Sequence, residues 1–238
     1  MNLVMGLHAI EELLRYAPEK ILKVYTVASK KVDLLKICEK KKIPLSIVSA
    51  DQLTKMVGSD SHQSLVAQIQ DRKFLDVNEF LETIEDEAFV LMLDQIFDPQ
   101  NFGALIRSAE CFGVSAVAWS KNRGSSLTPV ATKASCGASE LIPLIRVSNL
   151  ATAVDQFKEG GFEVVAALLD PGAESAYEFS YSPKTVLIVG SEGEGIQPLL
   201  RKKADRSIYL PMRGKIGSLN VAQATAALLA LRNFGPGQ

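Results

Sequence analysis

Apolar positions recur along this chain with two periods. Helical spacing over residues 7–16, 32–41, 104–112, 150–158 and 221–234 predicts helices with one buried face, while short apolar runs at 21–27, 45–48, 65–69, 89–93, 115–119, 163–168, 186–189 and 208–210 predict strands. Helices and strands alternate throughout, which predicts an α/β fold. A boundary falls near residue 74. Residues 1–73 form a small α/β domain, 74–87 an acidic linker and 88–238 a larger α/β domain. The stretch 76–87 holds six acidic residues and no basic one, the pattern of a solvated linker or surface helix. There is no internal repeat and no low-complexity tract.

Composition changes this picture little. The chain has 238 residues, 47% hydrophobic and 22% charged, which suits one or two soluble domains with a substantial core. No apolar stretch approaches the roughly 20 residues that span a bilayer, and the N-terminus lacks a secretory pattern, so a cytoplasmic location is the default expectation. Cys38, Cys111 and Cys136 are too few and too widely spaced for a disulfide framework or a zinc site, and are expected to be buried small residues.

Charge matters once the chain is divided. The net charge is −1, yet residues 1–73 carry 12 Lys and Arg against 8 Asp and Glu, and residues 74–238 carry 14 against 19. Balances of +4 and −5 leave a basic excess confined to the first part, where phosphate contacts to RNA need it. Lys40, Lys41 and Lys42 contribute to this excess, although a solvated helix end explains them equally.

Three segments carry the candidate chemistry: Asp98-Pro-Gln-Asn-Phe-Gly-Ala-Leu-Ile-Arg107, Gly190-Ser-Glu-Gly-Glu-Gly195 and Leu210-Pro-Met-Arg-Gly-Lys-Ile-Gly-Ser-Leu-Asn220. Each begins at or just after a predicted strand, where open parallel sheets bind ligands, so the three are expected to wall one site. The glycine-rich loop is no Walker A motif, since Gly195 is followed by Ile196 and Gln197 rather than a Lys-Ser/Thr pair. It also lacks the Gly-x-Gly-x-x-Gly order of a dinucleotide fingerprint. What remains is a loop that lets backbone approach a ligand and sets Glu192 at a strand tip, or else a tight turn with exposed acids. Asn101 is placed to cap the helix that carries Arg107, and among small and apolar neighbours that arginine suits an anion or carboxylate, or plain exposure. Ser218 and Asn220 precede an Ala-rich helix, where capping and anion contact are both served.

Taken together, these segments resemble the three motifs of the SpoU (TrmH-like) RNA ribose 2'-O-methyltransferases of the SPOUT superfamily, over about residues 88–235. Gly6-Leu-His-Ala-Ile-Glu-Glu-Leu-Leu14 and Ser61-His-Gln-Ser-Leu-Val-Ala67 look like the ends of the ribosomal-protein-like RNA-binding domain of the longer members. The closest resemblance is to the subgroup that methylates guanosine in 23S rRNA. It implies a deep trefoil knot in the second domain, a homodimer, and S-adenosylmethionine held by Gly190, Ile196, Leu210, Met212 and Leu219. It further implies that Arg107 activates the ribose hydroxyl while Asn101, Glu192, Ser218 and Asn220 position the hydroxyl, its phosphate and one another. Three positions depart from the pattern: Ser139-Glu140-Leu141 in place of a Glu-His pair, Ala222 in place of a serine, and Ser64 in place of a glycine.

The reaction needs an oriented hydroxyl and a way to remove its proton. His8 and His62 lie outside the three motifs. A guanidinium normally stays protonated, so Arg107 would equally stabilise a developing alkoxide or bind phosphate. Alternatives to rRNA methylation are the same reaction on tRNA, a catalytically silent RNA-binding or ribosome-assembly factor on the same fold and, as an outsider, a nucleotide-dependent oxidoreductase.

Overall fold

The computed structural model describes residues 2–27, 32–191 and 193–235, with the side chains of Val32 and Asp33 outside that description. The N-terminal unit runs β1 (Asn2–Met5), α1 (Leu7–Tyr16), β2 (Ile21–Thr26), α2 (Val32–Lys40), β3 (Leu45–Ile47), α3 (Ala50–Val57) and β4 (Leu65–Ile69). Its sheet has the order β1-β4-β2-β3, with β4 antiparallel to both neighbours and β3 parallel to β2. Helix α3 was not expected from periodicity. It is fixed instead by a capping box between Ser49 and Gln52 and by Gly58 at φ 65°. Ser64, where the resemblance leads one to expect glycine, takes the left-handed conformation at φ 62°.

The second unit runs α4 (Val77–Leu81), β5 (Ala88–Leu93), α5 (Pro99–Cys111), β6 (Ala116–Ser120), α6 (Pro129–Ala134), β7 (Leu144–Val147), α7 (Leu150–Glu159), β8 (Glu163–Ala167), β9 (Glu174–Ser175), β10 (Lys184–Val189), α8 (Pro198–Lys203), β11 (Arg206–Tyr209) and α9 (Val221–Phe234). Its seven strands pair in parallel in the order β7-β6-β5-β10-β8-β11-β9. Both faces of the sheet are covered, which is why its strands are unbroken apolar runs. Along β5 the period of two splits the core: Phe89, Leu91 and Leu93 pack with α5, α6 and α9, whereas Ala88, Val90 and Met92 pack with α4, α7 and α8.

Of the two readings of 76–87, the surface helix is borne out in α4 and the solvated linker is corrected. Leu75 pairs with the edge of β7, its N–H donating to Leu144 O at 2.9 Å, and α4 buries Val77 and Phe80 against the second unit. The acids face outward because the apolar residues recur at helical spacing, a pattern hidden by the charge count. Two of the three cysteines differ from the expected burial: Cys38 is buried as expected, but Cys136 is half-buried and Cys111 exposed.

The two units meet along a packed seam. Val130 joins the apolar cluster of Leu3 and Met5, and Leu141 packs on the core beneath α1. Gly137, at φ 92°, lets α1 approach so closely that an added Cβ would lie 3.0 Å from Ala9 O. An ion pair joins the units within the seam: Arg72 Nε donates to Glu140 Oε1 at 2.7 Å, with side chains only 7% and 3% exposed. Ser139 Oγ donates to the same carboxylate at 3.1 Å, and Lys20 donates to the Glu140 carbonyl. Arg72 Nη2 is buried without a hydrogen-bond partner among the described residues, so the guanidinium depends heavily on that single carboxylate. Glu140→Ala is therefore expected to destabilise the seam by about 3–5 kcal/mol. Urea denaturation would show the loss, and limited proteolysis should then cut near residues 70–87. A double Arg72→Met/Glu140→Leu change, which removes both charges, should regain most of it.

Candidate functional site at the carboxyl ends of the parallel strands

Asp94 directly follows β5, and four residues later Asp98 caps α5, its Oδ2 accepting from Asn101 N at 2.9 Å with Pro99 in the first turn. The capping residue is thus Asp98 rather than Asn101, whose side chain serves another contact. Gly103 sits where α5 crosses α6: an added Cβ would lie 2.3 Å from Ala131 O, so only glycine permits this approach. Arg107 projects from the next turns of α5 and is exposed.

The third segment leaves β11 and crosses to the start of α9. Asn220 there does two things at once: its Oδ1 accepts from Ala222 N at 2.9 Å and caps α9, while its Nδ2 donates to Asn101 Oδ1 at 3.0 Å. The first and third segments are joined by that amide pair. Ser218, Leu219 and Met212 are exposed and Leu210 is half-buried, all along one wall of a cleft of about 680 Å³. Leu168 and Leu169, beyond the end of β8, also line it. The cleft is mainly apolar and of ligand size. Its apolar side chains and open loop backbone fit a cofactor with a flat aromatic base.

The second segment is a tight loop. Gly195 N donates to Ser191 O at 3.0 Å, with Gly195 at φ 66°. Gly190 lies directly against that turn: an added Cβ would fall 2.2 Å from the Gly195 carbonyl carbon. Ile196 is 1% exposed and belongs to the core, so the structure buries this residue, expected at the cofactor, beneath the loop. Arg201 secures the loop from α8, donating from Nε to Ile196 O at 2.5 Å and from Nη2 to Glu194 O at 3.3 Å. Glu192 lies outside the described residues.

Arg107 is not brought to the same cleft within one chain. It lines a second cleft, of about 450 Å³, shared with His8, Glu12 and Tyr16 of α1 and with Cys111 and Cys136. Partial burial pushes the Cys111 thiol up, Glu110 adds to the effect and Arg107 opposes it, so this exposed thiol is no ready nucleophile. The expectation that all three segments wall one site is therefore met only in part: the first and third are joined at Asn101 and Asn220, whereas neither Arg107 nor the described residues of the second segment line the cleft of the third.

Asp94 was missed in the sequence. It is fully buried, and its carboxylate accepts from Gln197 N at 2.8 Å and from Gln197 Nε2 at 2.6 Å. A signal existed, since an acidic residue closing an apolar strand must find donors once buried.

Comparison with known proteins places this geometry. The model of the SpoU rRNA Methylase family matches residues 88–230, and that described as RNA 2'-O ribose methyltransferase substrate binding matches residues 3–75. A 23S rRNA (guanosine-2'-O-)-methyltransferase RlmB from Acinetobacter baylyi is 34% identical over 232 residues, covering 94% of this chain and 93% of its own. Its namesake from Escherichia coli K12 is 32% identical over 234 residues, covering 96% of each. Among solved structures, the SpoU methyltransferase AviRb from Streptomyces viridochromogenes, in complex with AdoMet, superposes with a TM-score of 0.78 at 20% identity, covering 95% of this chain and 87% of its own.

The contact beneath Gly190 makes a direct test of the loop. Gly190→Ala is expected to cost about 1–3 kcal/mol through overpacking. Gly172→Ala, at a position with nothing within 4 Å of an added Cβ, should change stability little. Thermal denaturation of the two variants would check both.

Proposed function

The chain belongs to the SpoU rRNA Methylase family, and from that premise we propose that it transfers a methyl group from S-adenosylmethionine to the 2'-hydroxyl of a guanosine in 23S rRNA. The observation that carries the substrate is the match to 23S rRNA (guanosine-2'-O-)-methyltransferases along nearly the whole chain, including the N-terminal unit. A relative lacking that unit would leave the choice of RNA open. The basic excess of residues 1–73 supports assigning RNA binding to them. A cytoplasmic location is part of the same reading.

The cofactor supplies an electrophilic methyl group when bound. Gly190, Leu210 and Leu219 are proposed to hold it through backbone, with Ile196 beneath and Met212 alongside; the cleft's size and apolar lining support this for Leu210, Met212 and Leu219, while Gly190 and Ile196 are assigned by family resemblance. Asn101 and Asn220, locked together at 3.0 Å, offer a pre-set pair of amides at the edge of that cleft for the ribose and its phosphate, with exposed Ser218 beside them. Glu192 is assigned to the same task by family resemblance alone. Arg107 is proposed to stabilise negative charge as the hydroxyl loses its proton. A guanidinium donates and does not accept, which favours this role over proton abstraction.

Because Arg107 lines a different cleft from Leu210 and Leu219, the reading includes a homodimer in which a second copy brings its Arg107 to the site. The family's trefoil knot is also proposed. Its support is the order of strands: β10 enters between β5 and β8, and after β11 the chain returns to pack α9 on α5.

The test is transfer of labelled methyl from S-adenosylmethionine to unmodified 23S rRNA and to a tRNA pool, with the modified ribose mapped. One rRNA guanosine should be labelled. Arg107→Ala should lower the rate by about 100-fold to 1,000-fold while leaving cofactor affinity within about twofold. Label on tRNA alone would overturn the substrate, and no transfer to either RNA would favour a binding factor.

A further inference from the structure

One residue grips both ends of the loop assigned to the cofactor. Asp94 N donates to Val189 O at 2.9 Å, immediately before Gly190, and its carboxylate takes the backbone and side-chain N–H groups of Gln197, immediately after Ile196. Val189 and Gln197, which flank the loop, are thus both held by a single position just after the neighbouring strand β5. Gln197 stands at the start of α8 without capping it, because its side chain turns to Asp94 instead. Its remaining amide oxygen accepts from Arg123 Nη1 at 2.7 Å, so Gln197 is oriented from both sides. Asp94 is 0% exposed and both its oxygens are occupied, which removes it from any role as a base.

We propose that Asp94 is a positioning residue for S-adenosylmethionine, acting through Gln197 to hold the Gly190–Ile196 loop in its binding form. The proposal rests on the cofactor reading given above. Its physical basis is directional: Gln197 presents two donors, and only an acceptor pair at position 94, itself fully buried, satisfies both. Asp94→Asn keeps one acceptor but turns a donor toward the Gln197 amide. Gln197→Glu creates the opposite mismatch, carboxylate against carboxylate. Joined in one chain, the two changes match again: the amide introduced at position 94 accepts from the backbone N–H of position 197 and donates to the carboxylate introduced there, which still faces Arg123.

The experiment is a cycle of Asp94→Asn, Gln197→Glu and the double variant in the full-length protein, read by calorimetric titration with S-adenosylmethionine. RNA binding without cofactor and the thermal midpoint are measured beside it. Each single variant is expected to bind cofactor about tenfold or more weakly, with RNA affinity unchanged, and the double variant to recover to within about threefold of the original. In turnover the single variants should raise KM for the cofactor and leave KM for RNA unaltered. Should Asp94→Asn fold poorly, Gln197→Glu and the double variant still decide the matter, since the mismatch and its repair are read at the same contact. Single variants that bind as the parent does, or a double variant no better than either single one, would overturn the proposal. Failure of the unaltered protein to bind S-adenosylmethionine would instead overturn the cofactor reading, and this proposal with it.

Discussion

Strand β10 pairs in parallel with β5 on one side and β8 on the other, and its residues from Thr185 to Val189 are all buried. Much of the candidate site hangs on that insertion. With β10 in place, Gly190 emerges at the sheet's carboxyl edge beside Asp94, and the loop can fold back until Gly195 lies against Gly190. The same insertion sets β8 and β11 beyond it, so the chain leaving β11 must return across these strand ends to reach α5. That return carries Leu210 to Asn220 past the cleft and ends in the amide pair between Asn220 and Asn101. A site of three distant segments is thus a consequence of one strand's position, and side chains only have to complete it.

Much of this was legible in the sequence, for a physical reason. Strands covered on both faces need apolar residues at every position, so β5, β6, β8 and β10 announced themselves as unbroken runs. The long helices α1, α7 and α9 were equally plain, because each has turns enough to repeat its pattern. The short helices α6 and α8 were not, having too few turns for a period to show, and β7 and β9 offer too few alternations. The segment 74–87 was legible only as a choice between linker and surface helix, because composition weighs its acids, whereas folding weighs the spacing of Val77 and Phe80.

At the site, residue identity was legible and juxtaposition was not. Asn101 and Asn220 could be named as candidates, yet their contact spans 119 positions and depends on the return path after β11. Asp94 escaped notice because its partner Gln197 is 103 positions away and carries no motif of its own. The Arg107 cleft depends on where α1 docks, and that in turn on Gly137 and the buried Arg72–Glu140 pair, neither of which belongs to a catalytic motif.

The exposure of Arg107 bears on how the chemistry can work. Opposite unit charges 4 Å apart attract by about 1 kcal/mol in water but by about 4 kcal/mol at the effective dielectric near a protein surface. An arginine open to solvent therefore does little for a developing alkoxide until something covers it. In the proposed reading that cover comes from the RNA and from the second copy of the chain, whose approach would bring the guanidinium to the amide pair and exclude water in one step. Reactivity would then be withheld until substrate and partner are both in place. Such an arrangement limits methyl transfer to riboses seated in the complete site, although S-adenosylmethionine is itself open to attack by many nucleophiles. The cleft lined by Leu210, Met212 and Leu219, by contrast, is formed within one chain, by the residues after β8 and the return after β11.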